Sequence, residues 1–227
     1  MNSNHSNRIK LMDMISRVVP STFFLFVVIL KGAELYTFLK TQYSGNESAS
    51  GKFLVDVASR SSIVCFLALM TILFFIRLQP VGKASGMLSR VMAIAGTFFV
   101  ALVTLFPRAN LSMTQTVIAS SISICGTIMS IIALAHLGRS FSLMAEARRL
   151  VTTGPYRIVR HPLYLFEEVA SLGVLLQFFS FYTVLIFLFH MFIQLQRMKN
   201  EEVVLEKAFP EYQAYKATTA RVIPRLY

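Results

Sequence analysis

The segment in which a polar loop gives way to a long apolar run reads Gly154-Pro155-Tyr156-Arg157-Ile158-Val159-Arg160-His161-Pro162-Leu163-Tyr164. Gly154-Pro155 predicts a turn, and Pro162 suits the first turn of a helix, where no amide donor is needed. We therefore expect His161 at the mouth of that helix, beside free N–H groups and the positive end of the dipole, which favour a polar or anionic ligand group. From spacing alone, a basic anchor that touches lipid phosphate explains the segment equally well.

The composition around this segment is that of an integral membrane protein. Of the 227 residues, 55% are hydrophobic and only 15% are charged, whereas soluble domains carry about 25% charged residues. The apolar residues are gathered in runs that approach the length of about 20 residues needed to cross a bilayer. We therefore predict an all-α polytopic fold with about six transmembrane helices, near residues 18–39, 61–78, 87–106, 114–137, 162–179 and 181–196.

The last two predicted spans are expected to form a tight helical hairpin, because only a Ser180-Phe181 corner separates them. The sequence after Gln196 predicts a helical tail that continues the sixth span and carries Glu201 and Glu202 towards His161. These glutamates are about 100° apart on a helix, so at most one of them points straight at a given pocket. We accordingly divide the chain into transmembrane helices at 1–133 and a segment of loop, hairpin and tail at 134–227.

The distribution of basic residues predicts the orientation in the membrane. Lys and Arg gather before the first span, between the second and third, between the fourth and fifth, and after the sixth. The opposite side holds only Lys40, Lys52, Arg60 and Arg108. Because basic loops stay in the cytoplasm, both termini are predicted to be cytoplasmic. The net charge of +11 is attributed to this topology and to an anionic membrane surface, and no nucleic-acid partner is expected.

Five pieces of the C-terminal part carry a resemblance to a known family. They are Leu137-Gly138-Arg139-Ser140-Phe141-Ser142, Leu150-Val151-Thr152-Thr153-Gly154-Pro155-Tyr156-Arg157, Arg160-His161-Pro162-Leu163-Tyr164, Glu201-Glu202 and Phe209-Pro210-Glu211-Tyr212-Gln213-Ala214-Tyr215. In order and spacing these pieces resemble the isoprenylcysteine carboxyl methyltransferases, and phospholipid N-methyltransferases share the same C-terminal layout. The resemblance covers roughly residues 134–224.

This resemblance implies an enzyme that uses S-adenosylmethionine to methylate a membrane-associated acceptor at the cytosolic face. The acceptor would be a prenylcysteine-type carboxylate or a lipid-like small molecule, and the enzyme would reside in the inner or plasma membrane of a bacterium. No metal-ligand pattern accompanies these motifs. Cofactor contacts are implied for Gly138, Gly154, Pro155, Tyr156, His161, Tyr164, Glu201 and Glu202.

The catalytic candidates are Arg160, Glu167 and Arg197. A carboxylate acceptor needs a cation to orient it, which Arg160 or Arg197 can supply. An amine acceptor must first lose a proton, which His161 or a glutamate can take. The sequence leaves both possibilities open. Glu167 and Glu168 lie one turn inside the fifth span, where carboxylates usually mark a site or a paired interaction.

Two other classes of protein fit parts of the sequence. Membrane sterol reductases carry a similar Arg-His-Pro-x-Tyr segment but use a nicotinamide dinucleotide, and they usually have more spans. A non-enzymatic transporter or scaffold is the third possibility. The scarcity of polar residues at mid-depth in most spans argues against a transport path.

Overall fold

The computed structural model describes the backbone of residues 3–43, 51–84 and 86–224, and the side chains of residues 14–42, 51–84 and 86–224. Short 3-10 helices lie at Phe99–Leu105, Gly138–Ser140 and Gly154–Arg157. The helices and strands are α1 (Ser3–Tyr43), α2 (Gly51–Ile76), β1 (Gly82–Lys83), α3 (Met87–Phe98), α4 (Met113–Leu137), β2 (Glu146–Ala147), α5 (Pro162–Gln177), α6 (Phe181–Ala208) and α7 (Tyr212–Thr218).

The predicted helical membrane architecture is confirmed. Five of the described stretches are long and apolar enough to cross a bilayer: Met14–Gln42, Gly51–Ile76, Met87–Leu105, Met113–Ser140 and Phe181–Ala208. The predicted helical tail is also confirmed, because α6 continues without a break as far as Ala208.

The remaining predicted span, at 162–179, forms the shorter helix α5. Its 16 residues cover only about 24 Å, less than the ~30 Å of bilayer hydrocarbon. The far end of α5 nevertheless reaches the connection that precedes α4, where the amide of Ala109 donates to the carbonyl of Gln177 at 2.9 Å. Helix α5 therefore lies along most of α4 in spite of its length.

Glycines bring α4 and α5 into backbone contact. A Cβ atom added to Gly126 of α4 would lie 2.3 Å from the backbone nitrogen of Ala170 in α5. A Cβ atom on Gly173 of α5 would lie 2.4 Å from the backbone nitrogen of Ser123. Such spacing of small residues lets helices approach closely in a membrane. This contact fixes the position of α5, which begins directly after His161.

The third membrane segment changes helix type within the predicted span. Helix α3 ends at Phe98 and the chain continues as a 3-10 helix. Nε2 of His190 in α6 lies 3.0 Å from the carbonyl oxygen of Gly96. In an uninterrupted α-helix this carbonyl would accept from the amide four residues later. We attribute the change to this tertiary hydrogen bond, which no sequence pattern indicated.

The loop between α4 and α5 is held on one side by the connection between α2 and α3. The amide of Leu78 donates to the carbonyl of Arg139 at 2.8 Å. Farther along, β1 pairs with β2 in an antiparallel register that sets Gly82 opposite Ala147 and Lys83 opposite Glu146. These main-chain bonds fix the loop at the end of the bundle.

The C-terminal segment holds the same loop from the other side. Val159 and Ala220 form a parallel β-bridge. The amide of Arg160 donates to the carbonyl of Ala220 at 2.8 Å, and the amide of His161 donates to the carbonyl of Arg221 at 3.0 Å. The entrance to α5 is therefore fixed by main-chain bonds to residues about 60 positions later in the sequence.

Candidate functional site

A cavity of about 470 Å³ lies where α4 ends and α5 begins. It has a polar wall that gathers residues from the loop, α5 and α6. Seven of the predicted site residues line this wall: Tyr156, Arg160, His161, Tyr164, Glu167, Arg197 and Glu201. The structure therefore brings together the motif before α5 and the acidic tail of α6, as the hairpin predicted.

Apolar side chains from the N-terminal half of the chain also line the cavity, and we call this part of the lining the apolar wall. No motif in these spans indicated a specific role, so their part in the cavity was not predicted. The division into 1–133 and 134–227 stays a prediction, although both parts line this cavity. The apolar side chains are Phe23, Phe24 and Val27 of α1, Phe66, Leu67 and Met70 of α2, and Phe98 and Val100 of the third membrane segment.

Glu202 does not line the cavity, but it binds two side chains that do. Its carboxylate accepts from Nε of Arg160 at 3.0 Å and lies 3.2 Å from Nε2 of His161. It also forms an ion pair with Arg221 at 2.8 Å. Because Glu202 is 3% exposed, these partners compensate a charge that would be costly to bury alone. Arg221 is a site residue that the sequence analysis missed, since no motif marks it.

The same wall contains a hydroxyl group without a partner. The side chain of Tyr156 is buried and lines the cavity, and its Oη has no hydrogen-bond partner among the described residues. Burial, together with the nearby charge of Glu201, raises the pKa of Tyr156 well above its usual value. The hydroxyl therefore stays protonated and can donate to a bound ligand. Nearby, the hydroxyl of Tyr164 donates to Glu201 at 3.1 Å.

Tyr215 of α7 supports the backbone of Tyr156. Its hydroxyl donates to the carbonyl oxygen of Tyr156. Burial raises the pKa of Tyr215 to about 12, although the positive charge of Arg160 acts in the opposite direction. The donor is therefore protonated at neutral pH, and α7 fixes the turn that carries Tyr156.

A chain of polar side chains runs from the wall into the depth of the bundle. Nη1 of Arg197 donates to Oε1 of Gln194 at 2.7 Å, and Nε2 of Gln194 donates to Glu167 at 3.4 Å. The guanidinium of Arg197 also lies 4.9 Å from the ring centre of Tyr164. Gln194 thus lies between the guanidinium of Arg197 and the carboxyl group of Glu167.

Gly138, Gly154 and Pro155 are not among the residues that line the cavity. Gly154 has a φ of +60°, and a Cβ atom there would lie 2.2 Å from the ring of His136. Gly138 has a φ of +52° and ends α4. Backbone conformation therefore accounts for both glycines, and packing against His136 also accounts for Gly154. Their role in cofactor binding stays a prediction.

These features define a polytopic membrane protein in which a polar wall with titratable groups faces an apolar one. Residues 117–207 match the isoprenylcysteine carboxyl methyltransferase (ICMT) family, so this segment of the chain is similar to that family. The resemblance seen in the sequence is thereby confirmed over these residues.

One curated protein is similar to part of the chain. Over 83 residues the chain is 32% identical to the nickel-cobalt-cadmium resistance protein NccN of Alcaligenes xylosoxydans xylosoxydans. The alignment covers 36% of this chain and 38% of that protein, so the chain matches well under half of the relative's length. Among the described residues, no group of three or more His, Cys, Asp or Glu side chains is arranged to hold a metal ion.

Proposed function

We propose that this protein transfers a methyl group from S-adenosylmethionine to an acceptor held in the membrane. The observation that best supports this is one cavity that is lined both by Tyr156, His161 and Glu201 and by apolar side chains of α1 and α2. A water-soluble cofactor and a lipid-like acceptor must meet in one place, and this cavity offers each a suitable surface. The family match over residues 117–207 independently supports the methyl-transfer class.

The polar wall has the chemistry that S-adenosylmethionine requires. When bound, this cofactor supplies an activated methyl group on a sulfonium cation. The carboxylate of Glu201 suits the ribose diol or the ammonium group of the cofactor. The hydroxyl of Tyr156, which has no partner among the described residues, can donate to the carboxylate of the cofactor. The ring of Tyr164 tolerates a nearby cation, as its contact with Arg197 illustrates. The residues present therefore fit the cofactor.

The apolar wall suits the hydrocarbon part of the acceptor. Phenylalanine, leucine, valine and methionine side chains of three membrane segments line this side. A prenylated cysteine or another lipid-like molecule would bury its tail there and present its reacting group to the polar wall. Entry from the lipid side, past Phe166 and Glu167, is part of the proposal.

Positioning supplies most of the rate enhancement in an in-line methyl transfer. The protein contributes rigidity on both sides of the polar wall. Main-chain bonds to Ala220 and Arg221 hold Arg160 and His161, and the carboxylate of Glu202 binds their side chains. This arrangement keeps the cofactor wall in one geometry before the acceptor arrives.

Titration calorimetry on the purified full-length protein in detergent tests the cofactor assignment. We expect saturable binding of S-adenosylmethionine and none of a nicotinamide dinucleotide. The variant Tyr156→Phe should bind S-adenosylmethionine roughly 3- to 30-fold more weakly, the range expected for one or two lost hydrogen bonds. The matched control is Tyr36→Phe, because Tyr36 of α1 is exposed and does not line the cavity.

The same measurement separates the competing classes. Saturable dinucleotide binding without S-adenosylmethionine binding would favour the sterol-reductase alternative. A transporter or scaffold predicts that His161→Ala and Glu202→Ala leave cofactor binding unchanged. Incubation of membranes with methyl-labelled cofactor then identifies the product. Base-labile label indicates an ester, and stable label in lipid indicates N-methylation.

A further inference from the structure

We propose that the surface formed by β1, the start of α3 and the end of α6 binds the headgroup of an anionic phospholipid. A second cavity lies there, and its volume of about 330 Å³ is within the range of small-molecule sites. None of the residues that line it lines the cavity with the polar wall. Binding at the second cavity therefore does not depend on the proposed methyl transfer.

The polar side chains of the second cavity can all donate hydrogen bonds. Lys83 of β1 and Lys207 of α6 are cations, and Ser89 and Asn200 add a hydroxyl and an amide group. None of the described residues that line this cavity carries a carboxylate. Lysine is a common ligand of phosphate in proteins. Two cations and two neutral donors therefore favour an anionic ligand with a phosphate group.

The charge of Lys83 is only partly compensated within the protein. Its side chain is 63% exposed, and its Nζ lies 3.8 Å from Oε1 of Glu146, the outer limit of an ion pair. The other oxygen of this carboxylate is already bound by the buried guanidinium of Arg148. Because Glu146 carries one negative charge, it cannot neutralise both cations.

The charge of Lys207 is likewise available to a ligand. Lys207 is exposed, and the acidic residue that directly precedes it, Glu206, is paired with Lys216 of α7 instead. The second cavity therefore has a surplus of positive charge on two of its sides, one from β1 and one from α6.

The position of the second cavity along the bundle favours a lipid. Helix α6 has 28 residues and is therefore about 42 Å long, close to the ~40–45 Å of a bilayer with its headgroup layers. Its last turn, which contains Lys207, thus reaches the headgroup layer. The third membrane segment begins at Met87, two residues before Ser89. The donors of the cavity therefore lie where apolar membrane segments end, which is the level of lipid phosphate.

Exposed apolar side chains border the two lysines. Val81 and Val203 line the second cavity and are exposed, and so are Met87 and Leu88, which begin α3. A soluble anion would need the cations alone. A phospholipid uses both parts of this surface, because its phosphate binds the lysines while its acyl chains cover the apolar side chains.

The second cavity is formed by the packing of β1 on α6. A Cβ atom added to Gly82 would lie 3.4 Å from Cβ of Ala208 and 3.5 Å from Cγ1 of Val204, which shows that the strand lies against the helix. On its other side β1 pairs with β2, in the loop that leads to the polar wall. A bound phospholipid would link β1 to α6, so it should stabilise the folded protein.

The affinities of two phospholipids for the full-length protein test the proposal. Dioleoyl phosphatidylglycerol and dioleoyl phosphatidylcholine share their acyl chains, but only the first has a net negative charge. Each is titrated into delipidated protein in a non-ionic detergent, and native mass spectrometry measures the bound fraction. We expect wild type to bind phosphatidylglycerol about 10- to 30-fold more tightly, a preference that two lysines near a membrane surface can supply. In the double variant Lys83→Gln, Lys207→Gln this preference should disappear.

The matched control is the double variant Arg149→Gln, Arg157→Gln. Both arginines are exposed in the loop between α4 and α5, neither lines the second cavity, and their loss changes the net charge by the same amount. This variant should keep the preference of wild type, which excludes a general attraction between the basic protein and anionic lipid. Lys83→Arg, Lys207→Arg should also keep it, because the charges are retained.

Thermal unfolding verifies that each variant is folded and measures the stabilisation by lipid. If the double lysine variant does not fold, Lys207→Gln alone serves, since Lys207 is exposed at the end of α6, and it should lower the preference. Added salt should reduce the preference of wild type, because the lysines are exposed to solvent.

Equal binding of the two lipids by wild type, or tighter binding of phosphatidylcholine, would overturn the proposal. A preference that persists in the folded lysine variant, or one that is lost equally in the arginine control, would overturn it as well. If inorganic phosphate stabilises the protein as much as phosphatidylglycerol does, the site binds a soluble anion and the assignment to a lipid is wrong.

Discussion

Nε2 of His190 donates to the backbone carbonyl of Gly96 at 3.0 Å, a bond that joins α6 to the third membrane segment. The other nitrogen of the ring lies 3.0 Å from Glu168 in α5. One imidazole therefore connects three membrane segments. It does so beside the cavity, which His190 itself lines.

Replacing His190 with leucine should destabilise the protein by about 3 kcal/mol, because it strips a buried carboxylate of its partner. The double variant His190→Leu, Glu168→Leu should recover much of this loss, since it removes both polar groups. Thermal or denaturant unfolding of the four proteins in the cycle measures the coupling. If the stability losses of the two single variants simply add up in the double variant, the pairing of His190 with Glu168 is contradicted.

Glu202→Gln should destabilise the protein and weaken cofactor binding together. The substitution leaves Arg160 and Arg221 without their buried counter-charge, and breaking such a group costs about 3–5 kcal/mol. The matched control is Glu206→Gln, one helical turn later, where the carboxylate pairs with the half-exposed Lys216. That change should cost at most about 1 kcal/mol. Equal losses for the two variants would argue against the role assigned to Glu202.

Tyr215→Phe should cost about 1 kcal/mol, because it removes the hydrogen bond to the carbonyl of Tyr156. Tyr212→Phe is the control on the same helix, since the hydroxyl of Tyr212 is buried and has no hydrogen-bond partner among the described residues. Its removal should be neutral or slightly stabilising. The unfolding midpoints of both variants provide the comparison. A larger loss of stability in Tyr212→Phe than in Tyr215→Phe would contradict the role assigned to the Tyr215 hydrogen bond.

Stability should also fall at alkaline pH through Tyr215. The folded protein raises the pKa of this hydroxyl from 10.0 to about 12. The unfolded chain therefore loses the proton first, and stability decreases as the pH rises from 10.0 towards about 12. Tyr215→Phe should show a shallower decrease than wild type over this range. If stability falls equally with pH in wild type and in Tyr215→Phe, Tyr215 does not contribute to the decrease.

Gly126→Ala should weaken the contact between α4 and α5. The added Cβ atom would lie 2.3 Å from a backbone nitrogen of Ala170, so the helices must separate, at a cost of about 1–3 kcal/mol. Gly32→Ala in α1 is the control, because no atom lies within 4 Å of a Cβ atom there. It should be neutral or stabilising. Because α5 starts directly after His161, only the Gly126 variant should also lose affinity for the cofactor.

The sequence predicted the elements that local patterns determine. Pro162 and the polar loop before it placed His161 at a helix entrance, and His161 is the residue that directly precedes α5 in the structure. The short Ser180-Phe181 corner predicted the hairpin that carries Glu201 to the cavity and Glu202 behind it. The 100° between adjacent helical residues correctly implied that only one of the two would face the pocket.

Features that depend on tertiary contacts were not predictable in the same way. The break of the third segment follows from a hydrogen bond between residues 94 positions apart, and no local pattern marks Gly96 as its acceptor. The role of Arg221 depends on the return of the C-terminal segment to the loop. The contribution of Phe23 or Phe66 to the cavity depends on how α1 and α2 pack, and any apolar span offers similar side chains.

The bridge between Val159 and Ala220 also sets an order of events during synthesis. Chains fold from the N-terminus as they emerge from the ribosome. The helices that make the apolar wall are synthesised and can enter the bilayer first. The polar wall cannot close until residues 220 and 221 have been released, so a growing chain is anchored in the membrane before this wall of the cavity is complete.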